Sequence, residues 1–171
     1  MIKNVSLFFL LFASLTLNAQ SHLPRSFNKS FVQQKLGQKY QINGFVKPTF
    51  LQADFNGDGV QDIAVLVDEK KTKKKGVLLM HGGSNEYFIF GAGIKFGNGS
   101  DNFKWAGGWK LYRSRTAYET LFNKESDMLG GKKIKLTNPA FYIYDLEESQ
   151  PNSGGIIYWG GTKYIWIHQG E

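Results

Sequence analysis

The sequence contains no cysteine, and this absence excludes several kinds of stabilisation and of metal site. No disulfide framework is possible, so a domain built from this chain depends on packing and on any ion that it binds. A lipid anchor on an N-terminal cysteine and a Cys/His zinc cluster are excluded for the same reason. The histidines, His22, His81 and His168, form no His-x-x-x-His pair, and we expect each of them to be structural or exposed.

Long apolar segments are scarce, and the one that is present lies at the N-terminus. Residues 5–17 are apolar, follow Lys3 and end in a short polar segment around Ala19. This order is typical of a secretory signal peptide, and the run is shorter than the roughly 20 residues of a membrane-spanning helix. We expect residues 1–19 to be removed, and residues 20–171 to form one exported domain, periplasmic or secreted, without a membrane span.

Catalytic patterns are equally scarce. The sequence has no Gly-x-Ser-x-Gly nucleophile elbow and no complete dinucleotide-binding fingerprint. Asp145, Glu147 and Glu148 offer paired carboxylates of the kind that hydrolyse glycosides. They precede a turn-forming Ser-Gln-Pro-Asn segment, however, which favours a solvated loop. The sequence therefore identifies no catalytic residue and no organic cofactor.

Acidic residues are outnumbered, since 14 Asp and Glu stand against 21 Lys and Arg and give a net charge of +7. A basic surface favours acidic partners, such as a polymer of the cell envelope. Much of the excess lies in residues 70–75, between two strand-like segments. We expect a solvated hairpin tip there, with a polyanion-binding patch as the alternative. The sequence does not point to a specific nucleic acid.

The most informative segment that is present is the loop Asp-Phe-Asn-Gly-Asp-Gly-Val-Gln-Asp. Side-chain oxygens recur at Asp54, Asn56, Asp58 and Asp62, and Val60 offers its backbone carbonyl. Ca²⁺ takes about six to eight oxygen ligands at roughly 2.3–2.6 Å, so a short loop must curl around the ion to supply them. The interspersed glycines permit that curl, because they tolerate positive φ. We therefore expect these five residues to bind Ca²⁺.

This loop runs directly into a strand-like segment, residues 62–68, which is rich in β-branched residues. The combination resembles the aspartate-rich calcium loop of FG-GAP (integrin-α-like) and VCBS repeats. It departs from the EF-hand, because Val65 replaces the bidentate glutamate that ends an EF-hand loop. The motif occurs once, whereas a propeller needs about four or more blades. The resemblance therefore implies a calcium loop placed on another fold, and not integrin-like adhesion.

The pattern of the remaining chain predicts an α+β fold, mainly one antiparallel β-sheet with an N-terminal helix packed on a face. We expect the helix at residues 26–39, with Ser26 as its N-cap. Two glycines within residues 156–167 indicate a hairpin with a two-residue turn. Residues 110–118 are expected to form one strand, and residues 120–129 are ambiguous. Further strand candidates are residues 76–80, 86–90, 132–136 and 141–146.

Aromatic residues are abundant, at 15% of the chain, and concentrate in its second half. Strand alternation places Tyr164 and Trp166 on one face, and Ile165 and Ile167 on the other. One face would pack on the core, and the other is either covered as well or exposed as an aromatic platform for sugars or a protein. Sequence alone leaves open whether the tryptophans are core or binding surface; they are Trp105, Trp109, Trp159 and Trp166.

Together these observations predict an exported calcium-binding domain with a structural or binding role, in which the ion stabilises the loop that enters a central strand. An inhibitor or immunity-type protein of the cell envelope is the alternative. A hydrolase of envelope polymers is a further, weaker alternative. The expected partner is an acidic envelope polymer or another protein.

Overall fold

The structure is a computed structural model that describes residues 23–125 and 127–170. The expected signal peptide, residues 1–19, lies outside the described residues. The described part contains one α-helix, α1 (Arg25–Gln33), and eleven β-strands, all of them paired antiparallel. The prediction of an α+β fold is therefore wrong, because the helix is a single short element on a mainly β structure.

The first half of the described chain forms a five-stranded sheet. Its strands are β1 (Tyr40–Ile42), β2 (Phe50–Ala53), β3 (Asp62–Glu69), β4 (Lys75–Met80) and β5 (Tyr87–Gly91). Strand β3 is central, because β1 and β2 pair with successive parts of one edge and β4 pairs with the other edge. Its side chains are buried on both faces, as expected of a continuous apolar run.

The second half forms a four-stranded sheet and a separate two-stranded ribbon, so the prediction of one sheet is also wrong. The four-stranded sheet has the order β11-β10-β9-β6 and the ribbon pairs β7 with β8. These strands are β6 (Gly108–Tyr112), β7 (Thr116–Phe122), β8 (Met128–Lys135), β9 (Ala140–Glu147), β10 (Gln150–Trp159) and β11 (Tyr164–Gln169).

Three groups of buried side chains hold these layers together. The sandwich core lies between the two sheets, the helix-side core between the five-stranded sheet and α1, and the ribbon-side core between the four-stranded sheet and the ribbon. Fully burying one Leu, Ile or Phe side chain contributes about 1.5–3 kcal/mol. Prominent members are Leu66, Phe141 and Ile157 in the sandwich core, Phe27 and Val65 in the helix-side core, and Ala117, Leu136 and Ile167 in the ribbon-side core.

The N-terminal helix begins close to its expected position but ends early. Its N-cap is Pro24 and not Ser26, and no side chain caps it. Lys35 takes a left-handed conformation with φ 55°, and a 3₁₀ turn, Leu36–Gln38, follows. This left-handed residue interrupts the α-helical hydrogen bonding, so the expected helix over 26–39 divides into two pieces. No helix in the described part of the chain is long and apolar enough to cross a membrane.

The turns of the structure can be compared with those that the sequence patterns predicted. The lysine-rich segment connects β3 to β4 as a hairpin tip, as predicted, although Lys75 already belongs to β4. The C-terminal hairpin is confirmed, but its connection spans four residues, 160–163, closed by a 2.9 Å bond from Gly160 N–H to Lys163 O. The expected strand over 110–118 is divided into β6 and β7 by a turn, and the ambiguous segment contains the end of β7, the β7–β8 turn and the start of β8.

Candidate functional site

The aspartate-rich loop connects β2 to β3 at one end of the five-stranded sheet. Phe55 anchors the loop in the sandwich core, where its ring is fully buried and lies 5.5 Å from that of Phe141, edge to face. The glycines Gly57 and Gly59 have φ of 82° and 87°. These values lie in the left-handed region that glycine adopts without strain, and they let the backbone curl back over Asp54.

Asp54 organises the outer half of the loop. One carboxylate oxygen, Oδ1, accepts hydrogen bonds from the backbone N–H groups of Gly57 and Asp58, at 2.7 and 3.1 Å. The other oxygen, Oδ2, accepts one from Gly59 N–H at 2.9 Å. The carboxylate therefore fixes three successive backbone amides and holds the loop closed.

Asn56 and Asp58 form the exposed rim of the loop. The Asn56 side chain accepts a hydrogen bond from Asp58 N–H at 3.1 Å and donates one to Asp58 Oδ2 at 2.9 Å. Asp58 Oδ1 accepts one from Val60 N–H at 2.8 Å. The Asn56 amide and then the Val60 N–H lower the pKa of Asp58, so the exposed carboxylate is ionised at neutral pH.

Asp62 lies at the inner end of the loop and is fully buried. Its Oδ2 accepts hydrogen bonds from Phe55 N–H at 2.8 Å and Asn56 N–H at 3.3 Å, and its Oδ1 accepts one from Gly82 N–H at 2.8 Å. Burial raises the pKa of Asp62, while these amides and His81 act in the opposite direction. The side chain thus ties the loop both to itself and to the turn that follows β4.

His81 connects this loop to the four-stranded sheet. Its side chain is buried, and Nε2 lies 2.8 Å from the hydroxyl of Tyr164 on β11. Its Nδ1 lies 3.3 Å from a Glu86 carboxylate oxygen and 3.4 Å from Asn56 Nδ2. We expected this histidine to be either structural or exposed, and the structure shows that it is buried and in contact with its neighbours. No sequence pattern indicates the contact with Tyr164, because 83 residues separate the two partners.

The carboxylates of the loop act on the pKa of Tyr164. Burial is the largest cause that raises the pKa of this phenol, followed by the carboxylates of Asp62, Asp54, Asp58 and Glu86. Tyr164 therefore stays protonated and donates or accepts as a neutral hydroxyl.

The oxygens that we expected to bind Ca²⁺ keep part of their capacity. A carboxylate has about four acceptor sites, and the bonds described above fill three on Asp54, three on Asp62 and two on Asp58. The donor set also has the hard oxygen chemistry that Ca²⁺ prefers. In the described residues, however, no three His, Asp or Glu side chains are grouped closely enough to hold an ion. Binding would therefore require these side chains to draw together.

The carboxylates considered for glycoside hydrolysis lie elsewhere. Glu147 ends β9, and Glu148 and Ser149 form the hairpin tip with φ of 48° and 66°. Both glutamates are exposed and border an open hollow with Gln150, Pro151 and Asn152. Asp145, two residues before Glu147 on β9, lines a separate cleft with Trp105 and Trp166. The three carboxylates therefore do not line one cleft.

The aromatic residues on β11 follow the predicted alternation. Tyr164 and Trp166 pack with the sandwich core, whereas Ile165 and Ile167 pack with the ribbon-side core. Both faces of the strand are therefore covered. Trp109 is buried, and Trp159 packs against His81, with ring centroids 5.5 Å apart. Trp105 and Trp166 are half-buried at the edge of the sandwich core.

No protein-family model, curated protein or solved structure matches this chain.

Proposed function

We propose that this protein is an exported domain with a structural or binding role, and that Ca²⁺ stabilises its Asp54–Asp62 loop. The observation that carries the proposal is the concentration of oxygen donors in one curled loop whose inner end is fastened to the fold. Asp54, Asp58 and Asp62 each retain acceptor capacity, and the amide oxygen of Asn56 and the carbonyl of Val60 add neutral oxygens.

The ion would act by relieving the repulsion between the carboxylates of the loop. Three carboxylates lie within nine residues of sequence, and two of them, Asp54 and Asp58, are held by hydrogen bonds to neighbouring amides of the same loop. A divalent cation between them replaces mutual repulsion with attraction, and its remaining ligands are water. Because the loop leads straight into β3, stabilising the loop also stabilises the end of the central strand.

The location of the loop supports a role in stability over one in catalysis. Asp62 fastens the loop to Gly82, and His81 in the same turn reaches Tyr164 of the other sheet. The loop therefore lies where the two sheets are joined. None of the contacts described for the loop pairs a nucleophile with a base, which catalysis of hydrolysis would need.

Thermal unfolding in Ca²⁺ and in EDTA tests the proposal. At free Ca²⁺ tenfold above Kd, binding to the folded state alone adds about 1.4 kcal/mol to the free energy of unfolding. For a domain of this size that corresponds to a rise in Tm of about 3–6 °C. Mg²⁺ at the same concentration should do less, because it demands stricter octahedral geometry.

The matched variants are Asp58→Asn and Asp127→Asn. Asp58→Asn keeps an acceptor for Val60 N–H but removes a charge from the loop, and it should abolish most of the calcium-dependent rise. Asp127→Asn alters an exposed carboxylate on the distant β7–β8 turn and should leave the rise unchanged. Identical melting curves of the unmodified protein in Ca²⁺ and EDTA would contradict the proposal.

A further inference from the structure

A cleft of about 240 Å³ opens beside strands β9, β10 and β11 of the four-stranded sheet, away from the aspartate-rich loop. Its walls include the indoles of Trp105 and Trp166, whose ring centroids are 6.3 Å apart and nearly perpendicular, at 81°. Polar side chains complete the lining: Asn98, Asp145, Ser153 and His168. None of the residues that line the cleft belongs to the aspartate-rich loop. The cleft is therefore separate from the candidate calcium loop.

Two side chains in this wall carry unsatisfied polar atoms. The indole Nε1 of Trp166 is buried and has no hydrogen-bond partner in the described structure, and the buried ring nitrogens of His168 interact only with the backbone of Gly170, outside good hydrogen-bond geometry. A buried donor or acceptor without a partner costs about 1–3 kcal/mol, and native proteins leave few such groups. Because these atoms lie beneath the surface of the cleft, the polar side chains that a ligand would meet are Asn98, Asp145 and Ser153.

The charge of the cleft narrows the class of ligand. Burial lowers the pKa of His168, while Glu119 and the backbone at Gly170 oppose this effect. The ring is therefore neutral at neutral pH and offers one donor and one acceptor. Asp145 adds a negative charge and forms none of the described ion pairs. An anionic ligand would be repelled by Asp145, and a purely apolar one would take water from Asp145 and Ser153 without replacing its hydrogen bonds.

The shape of the cleft narrows the class further. Trp166 is wedged between glycines, because a Cβ on Gly155 would lie 2.1 Å from its ring and one on Gly99 would lie 2.7 Å from it. The indole wall is thus held in place before any ligand arrives. The cleft is also smaller than the roughly 300–1,000 Å³ of pockets for drug-sized molecules. It has room for one ring with an apolar face and several hydroxyls.

We infer that this cleft binds one ring of a neutral saccharide. The sugar's C–H face packs against the indoles of Trp105 and Trp166, and its hydroxyls bond to Asn98, Asp145 and Ser153, which line the cleft. This inference is independent of calcium binding, because it uses no residue of the aspartate-rich loop.

The indole N–H signals of the isotopically labelled protein provide the test. The chain has 4 tryptophans, and the cleft contains Trp105 and Trp166 but neither Trp109 nor Trp159. Glucose, N-acetylglucosamine and their β-1,4-linked trimers are titrated at concentrations up to about 10 mM, where weak binding is detectable. We expect saturable shifts of the Trp105 and Trp166 signals and stationary Trp109 and Trp159 signals.

Two variants and one competing probe complete the experiment. Asp145→Asn should weaken the affinity about tenfold, as expected on losing one good hydrogen bond to a charged acceptor. Glu147→Gln, which changes an exposed carboxylate two residues further along β9, should leave it unchanged. Inorganic phosphate should leave all signals stationary. Absence of shifts with every sugar, stronger shifts with phosphate, or equal shifts of all tryptophans would each overturn the inference.

Discussion

Replacing Asp62 by alanine should destabilise the fold strongly even when no calcium is present. In the structure this carboxylate is the shared acceptor for three backbone N–H groups, those of Phe55, Asn56 and Gly82. With alanine at position 62, these three N–H groups would lose their acceptor. The prediction separates the role of Asp62 in holding the backbone from any role in binding an ion.

The expected loss follows from the burial of each donor. The bond to Phe55 N–H is buried, so its loss costs the full desolvation penalty of about 1–3 kcal/mol. The donors of Asn56 and Gly82 are partly buried and regain water, so each costs about 0.5–1.5 kcal/mol. Removing the buried carboxylate recovers some desolvation energy, since burial raises its pKa. We expect a net loss of about 2–4 kcal/mol, out of the roughly 5–15 kcal/mol typical of a domain.

Urea unfolding in EDTA measures this loss, with the free energy taken from linear extrapolation. Asp58→Ala is the matched control, because this side chain lies in the same loop but its hydrogen bonds are exposed. Asp58→Ala should change the urea midpoint little. Asp62→Asn should lose an amount of stability between those of Asp58→Ala and Asp62→Ala, because it keeps one acceptor oxygen. If Asp62→Ala lost no more stability than Asp58→Ala, the buried carboxylate could not be what holds the three backbone amides in place, and the reasoning would be refuted.

Two further predictions concern β10 and β11. Gly155→Ala should cost about 1–3 kcal/mol in urea unfolding, because its Cβ would overlap the Trp166 ring. Gly160→Ala meets nothing closer than 3.4 Å, so an equal cost would contradict this reason. Because burial lowers the pKa of His168, the unfolded state binds its proton first, and stability falls as pH drops below about 6.5. His168→Phe should therefore reduce the fall in Tm between about pH 7 and pH 5. If Tm fell as much in this variant as in the unmodified protein, His168 would not be the cause of the fall.

The sequence was sufficient where one local pattern decides the structure. Residues 63–67 are apolar and include three β-branched side chains, and they form the buried middle of strand β3 in the structure. The hairpin between β10 and β11 was recognisable from its glycines, although Lys163 also belongs to its turn. The alternation along β11 was predicted correctly, because side chains in any strand point to opposite faces.

The sequence was insufficient where the answer depends on which layers meet. Alternation along β11 does not tell that one face meets the other sheet and the opposite face meets the ribbon. The α+β assignment failed because it treated all strands as one sheet with α1 as its cover. The contact between His81 and Tyr164 and the cleft at Trp166 combine distant segments, so no spacing in the sequence indicates them.

The position of β3 has a consequence for how the protein unfolds. Ile63, Val65 and Val67 serve the helix-side core, whereas Ala64 and Leu66 serve the sandwich core. Detaching this strand exposes both sets of side chains to water at once, so neither core survives the loss of β3. Unfolding of β3 therefore removes both cores in one cooperative step, whereas α1 can detach from its face of the sheet without disturbing the sandwich core.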